Sequence, residues 1–275
     1  MSQSQYSPLQ KLRSYVAFSP KSLSTKHKPN QKKMNLLGIS SAKTRKGEAL
    51  NYLTGILYLS PSTLSGVGNV CPWAGTCKEA CLNTSGRGAF NSVQAARAKK
   101  TKAFFANRDA FMESLCEDCK SLVAKAKRLG MQPCIRLNGT SDLAFHRLIV
   151  PSKGMTLMDL FPSVPFYDYT KSVKKALDNA NGKHAPNYHV TFSRDSAANE
   201  NECAAVLRAG GNVSVVFRDT LPATYWHRPV LDGDLHDLRF LDRRARAGRS
   251  GFIIGLKAKG KAKKDRSGFV VDSAN

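Results

Sequence analysis

No acidic side chain occurs before Glu48. The segment ahead of it is rich in Ser, Gln, Lys and Pro and holds no apolar period longer than a turn, so it is expected to bury no face of its own. Its few arginines argue against an organelle transit peptide, and its first residues lack the apolar core and cleavage site of a secretory signal. Long hydrophobic runs are also missing. None approaches the roughly 18 to 20 residues of a membrane span, so no membrane partner is expected. Seven cysteines, an odd number without an export signal, argue against a disulfide framework and for reduced thiols in a cytoplasm.

Basic residues, by contrast, are in excess. Forty-three Lys and Arg stand against twenty Asp and Glu, a formal net charge of +23, which makes a polyanion such as nucleic acid the expected partner. The charge crowds toward the ends, in "KHKPNQKK" (26–33) and "GLKAKGKAKKDR" (255–266). Lys257, Lys259, Lys261 and Lys263 are therefore the candidates for phosphate contact. At 275 residues, 41% of them hydrophobic, the chain is long enough for one large core.

Past the tail the pattern alternates. Apolar runs at 53–60, 133–138, 164–169, 187–193, 212–217 and 251–258 read as strands. Helical spacing from about Ser92 to Gly130 reads as one long amphipathic helix or two in tandem, and helices are expected at 155–161, 171–180 and 197–210. Strands alternating with helices imply parallel βα repeats, rolled into a barrel or an open sheet, with functional groups just past the C-terminal strand ends. That rule selects the loop after the first strand, then Asn138, Thr140, Ser141 and Asp142, then Tyr169, Thr170 and Lys171, then Ser193, Arg194 and Asp195, then Arg218 and Asp219, and last Lys257 and Lys259. Several of these are also ordinary helix caps.

The first loop holds "CPWAGTCKEACLNTSGRGAF", with Cys71, Cys77 and Cys81 inside eleven positions. Cys116 and Cys119 fall in the helical pattern, Cys134 in a strand and Cys203 on a helix, where small buried thiols are usual. Three clustered thiolates suit a [4Fe-4S] cluster with one iron open, and equally a zinc with water or a distant histidine in fourth place. "DGDLHDLRFLD" (232–242) reads as a turn entering a strand, with His236 against the core or Arg239; a divalent-ion site is the alternative. "RRARAGR" (243–249) reads as a solvated basic loop.

The order of strand, cysteine loop and parallel βα units resembles the radical S-adenosylmethionine (SAM) superfamily. More closely, "CPWAGTCKEACLNTSGRG", "IRLNGTSDL", "FYDYTK", "YHVTFS", "DGDLHDLRFLD" and "GLKAKGKAKKDRSGFV" together resemble the bacteriophage "gene product eighty-eight" family over roughly residues 35–271. The superfamily resemblance implies an α/β fold of parallel βα repeats forming a partial, radical-SAM-like barrel, with Cys71, Cys77 and Cys81 on the cluster. The spacing here is C-x5-C-x3-C, against C-x3-C-x2-C in that superfamily, and "NGTSD" stands in place of its glycine-glycine-acid motif. On that likeness Asn138, Asp142, Ser193 and Arg194 would contact SAM, while Tyr169 and Lys171, read as standing on facing strand ends, would orient substrate or return a hydrogen atom. The expected organisation is a disordered basic tail over 1–47 and a single α/β iron-sulfur domain with a basic C-terminal segment over 48–275. The expected function is radical chemistry on a nucleic acid or nucleotide in the cytoplasm of an infected bacterial host. Two alternatives are a nonenzymatic nucleic-acid-binding phage protein with a structural zinc or iron-sulfur site, and a replication initiator. The initiator needs a His-x-His metal pair, which the sequence lacks, and a tyrosine nucleophile, for which Tyr167 has the spacing to Lys171.

Overall fold

The computed structural model describes residues 34–243 and 250–272. Most of the expected tail and of "RRARAGR" lies outside the described residues. Within residues 34–47, assigned to the tail on sequence, stand β1 (Leu37–Gly38) and the start of α1 (Ala42–Glu48). A capping box nucleates this short helix: Ser41 Oγ accepts from Thr44 N at 3.2 Å, and Thr44 Oγ1 accepts from Ser41 N at 2.8 Å.

The chain continues through β2 (Tyr52–Leu57), α2 (Asn91–Ala106), α3 (Arg108–Arg128) and β3 (Gln132–Arg136). There follow β4 (Ile149–Val150), β5 (Met155–Thr156), α4 (Leu157–Leu160), β6 (Phe166–Thr170) and α5 (Val173–Ala180). The remainder is β7 (Tyr188–Ser193), α6 (Glu200–Arg208), β8 (Val213–Phe217), β9 (Thr224–Tyr225), β10 (Arg228–Asp232), β11 (Ile253–Lys257) and β12 (Val270–Val271). The expected helix pair is two helices. Asn107, extended at φ −154°, ends α2 and caps α3 by accepting from Ala110 N at 2.9 Å.

Ten strands form one sheet in the order β1-β2-β3-β6-β7-β8-β11-β10-β9, with β12 added to β8. From β2 to β10 every neighbour is parallel; β1 and β9 close the two edges antiparallel. The five parallel strands β2, β3, β6, β7 and β8 stand in chain order side by side, as expected for successive right-handed crossovers. The order breaks at β11, which enters between β8 and β10. No closed barrel forms among the described strands, since β1 and β9 pair only inward.

Alternation along each strand separates two faces. Leu53, Ile135, Phe166, Tyr188, Phe192, Val213 and Ile253 join the main core with Phe111, Met112, Leu115, Cys119, Leu122 and Ala126 of α3. The thiols of Cys116, Cys119 and Cys203 belong to that core, as expected for packing cysteines. On the other face Cys134 and Tyr167 pack with Tyr52 of β2 and with Leu238 and Phe240 of the returning 232–242 segment.

Candidate functional site at the cysteine loop

Residues 58–90 leave the C-terminal end of β2 and reach α2 through three single-turn 3-10 helices, at Thr76–Lys78, Leu82–Thr84 and Gly86–Ala89. Such a loop has little core of its own, so its shape depends on straps to the strand ends. Cys71 Sγ accepts from Ser62 N at 3.3 Å and lies 3.6 Å from the Thr140 carbonyl, while Asp142 N donates to the Val70 carbonyl at 2.8 Å. Asp195, just past β7, accepts from the backbone N–H of Thr76 at 3.1 Å and of Cys77 at 3.2 Å. Its backbone carbonyl receives the Thr76 hydroxyl at 3.0 Å. Asp195 therefore caps the turn that presents Cys77.

Behind the loop runs a charged ladder. Lys171, just past β6, donates to the carbonyl of Arg194 at 2.9 Å and to Ser193 Oγ at 3.2 Å, and pairs with Asp195 at 3.4 Å. Asp142 accepts from Thr170 Oγ1, Lys171 N and Lys175 Nζ, each at 2.8 Å. Burial pushes the Asp195 carboxyl up, but Lys171 and the two loop amides outweigh it and hold it below the usual range.

Cys71, Cys77 and Cys81 are half-buried free thiols. Burial pushes Cys71 up to about 11 against the Ser62 amide, and the nearby Cys81, Cys77 and Asp142 add to the rise. Burial also raises Cys77, with Lys171 opposing and Asp195 and Cys81 reinforcing. Negative charge at Cys71 and Cys77 is thus unfavourable without a cation. Among the described residues no set of three or more His, Cys, Asp or Glu side chains is close enough to hold a metal as placed.

The strand-end residues divide. Asp142, Thr170, Lys171, Ser193 and Asp195 gather beneath the loop as the parallel-sheet rule expects. Asn138 is absorbed by scaffolding: its amide donates to Asp168 at 2.9 Å and to the Leu143 carbonyl at 3.1 Å, and its oxygen accepts from Ser141 and Leu143. Arg194 likewise holds the Gly268 carbonyl at 2.7 Å and Glu200 at 3.2 Å. Tyr169 and Lys171 do not face one another from different strands; both come from the end of β6. Tyr169 lies under the Arg136 guanidinium at 4.7 Å, and Tyr167 is fully buried with its hydroxyl 3.4 Å from Asp237. Tyr167 is therefore no exposed nucleophile.

The C-terminal lysines reach the same region. Ala258 and Ala262 pack with Ala80 of the cysteine loop. Lys261, Lys264 and Arg266 line a cavity of about 430 Å³ with Glu79 and Asp265. Lys259 pairs with Asp234, and the Lys257 amide donates to the same carboxylate at 2.8 Å. The Lys263 carbonyl accepts from Arg218 at 2.9 Å.

The 232–242 segment leaves strand β10 rather than entering one. Its carboxylates have partners within the protein: Asp232 accepts from Asp234 N, and Asp237 pairs with Arg136 at 2.8 Å and Lys43 at 3.4 Å. His236 contacts Arg239 at 3.3 Å, as expected. The Arg136–Asp237 pair escaped the sequence reading; its signal was a lone arginine inside the apolar strand "PCIRLN".

These features define an α/β protein whose parallel sheet carries a thiol-bearing, basic-flanked mouth at its C-terminal strand ends. Over residues 28–273 the chain matches the family described as Gene product 88, and it belongs to that family, the bacteriophage family its sequence blocks resemble. No curated protein matches the chain, and neither does any solved structure. No helix among the described residues is long and apolar enough to cross a membrane.

Proposed function

We propose that this chain is an iron-sulfur protein of radical-SAM-like, partial-barrel architecture acting on a nucleic acid or nucleotide. The observation that carries the reading is the placement of Cys71, Cys77 and Cys81 above the C-terminal ends of parallel strands in chain order, with Asp195 and Lys171 bracing the middle thiol. The donor set fits a cluster with an open iron better than a four-thiolate zinc, because the other four cysteines are buried elsewhere. Cys71, Cys77 and Cys81 would hold the cluster, which when bound supplies one-electron chemistry to a ligand such as SAM at that iron. The protein's own work is then positioning: Asp195 fixes the Cys77 backbone, Asp142 ties β6 to the loop after β3, and Lys171 places a positive charge beside Cys77. Ser193 and Asp142 remain candidates for cofactor contact, whereas Asn138 and Arg194 act through the scaffold. Lys261, with Lys264 and Arg266, supports a phosphate-bearing substrate entering beside the loop.

Metal and sulfide analysis of anaerobically purified protein tests this. About four iron and four sulfide per chain, lost in Cys77→Ala, with an EPR signal of the reduced form altered by SAM, is the expected outcome. Stoichiometric zinc without sulfide would replace it with the nonenzymatic binder, whose metal only ties down the loop.

A further inference from the structure

The cysteine loop carries more exposed apolar surface than a thiol site needs. Of the twelve large apolar side chains exposed among the described residues, Leu64, Val67, Trp73, Leu82 and Phe90 all stand within residues 58–90. Trp73 and Phe90 are 57% and 59% exposed. Apolar side chains gathered on one exposed loop mark an interaction site. Trp73 is moreover held out by its turn. Ala74 N donates to the Cys71 carbonyl at 3.1 Å, and Pro72 presets the first corner. On one side Asn69 accepts from Cys71 N at 2.8 Å; on the other, a Cβ at Gly75 would collide with the Asp195 carboxylate, so both ends of the turn are fixed.

The charge around these rings is basic. Lys78 and Arg87 are exposed on the loop, with Glu79 as its single carboxylate. Lys261, Lys264 and Arg266 face Glu79 across the cavity, and Gly260 seats so closely on Ser85 that a Cβ would have no room. We propose that the loop binds single-stranded nucleic acid, with Trp73 and Phe90 as stacking platforms for bases and the basic side chains beside them on the phosphates. The inference rests on the nucleic-acid reading above and narrows it. A stacking platform needs an open base face, which a single strand offers and a duplex hides. A free nucleotide would leave most of the apolar loop uncovered, and a net charge of +23 favours a polyanion over a protein partner.

Trp73 and Trp226 are the two tryptophans of the chain, so in Trp226→Phe protein the indole fluorescence reports Trp73 alone. Oligothymidylate should quench it, and thymidine monophosphate at equal nucleotide concentration should not. In the wild-type background, anisotropy of labelled oligothymidylate should show affinity lowered about fivefold or more by Trp73→Ala and less by Trp73→Phe, with the salt slope unchanged because no charge is removed. Unchanged affinity in Trp73→Ala protein shown folded by circular dichroism, an equal quench by the mononucleotide, or tighter binding of the duplex overturns the proposal. If no oligonucleotide binds, the proposal falls together with the nucleic-acid part of the reading above, and the apolar loop is left to a protein partner. Iron and sulfide content is a separate measurement, so the cluster and the stacking surface can each fail alone.

Discussion

Arg136 and Asp237 stand 101 residues apart in sequence and meet at 2.8 Å where neither reaches water freely. Burial pushes the Asp237 carboxyl up, but Arg136, then Lys43 and Arg239, reverse it and hold it far below the usual carboxylate range. Such a group stabilises the fold fully above its unfolded value, about 4, and loses that contribution as pH falls toward the depressed folded value. Asp237→Asn is therefore expected to cost about 3–5 kcal/mol at pH 7, because it leaves a buried guanidinium uncompensated. Urea unfolding of both proteins checks this, and their difference should shrink steadily below about pH 4. Local reading identified the three clustered cysteines because thiol spacing is visible in one stretch. It could not pair Arg136 with Asp237, since nothing short of the fold brings the end of β3 against the 232–242 segment.

Between β9 and β10 the chain reverses through Trp226 and His227, both with positive φ, 50° and 57°. This is the backbone of a type I′ hairpin turn, usually marked by Asn-Gly. Here neither residue is a turn former, so sequence reading passed over the hairpin and the edge it supplies. His227→Gly should relieve the left-handed backbone and raise stability by up to about 1 kcal/mol, read from the urea midpoint at unchanged slope. The helices and the parallel strands β2, β3, β6, β7, β8 and β11 were legible because their apolar periods run for several turns or pleats. Two-residue strands such as β1, β4, β5, β9 and β12 carry no period at all and are set by tertiary pairing alone.

At the scale of the whole molecule, the net charge of +23 is the feature most open to direct measurement. If nucleic acid is the partner, log affinity should fall linearly with log salt, and Lys261→Gln/Lys263→Gln should flatten the slope by about 1 to 2 if both contact phosphate. Fluorescence anisotropy of a labelled oligonucleotide across a salt series measures it; an unchanged slope would place the contacts elsewhere. Composition forecast that charge but not its arrangement, in which the C-terminal lysines fold back beside the cysteine loop. The edge of β8 explains how they do so. Val213 and Ser214 pair with β7, whereas Val216 and Phe217 pair with β12, and Val270 of β12 packs with Ala80. The seat of the cysteine loop at Ala80, next to Cys81, is thus completed by β12, the most C-terminal of the described strands. Loop and parallel sheet precede Val270 in the chain, so during synthesis the cysteine loop stands without this apolar footing until Val270 has been added and can reach Ala80.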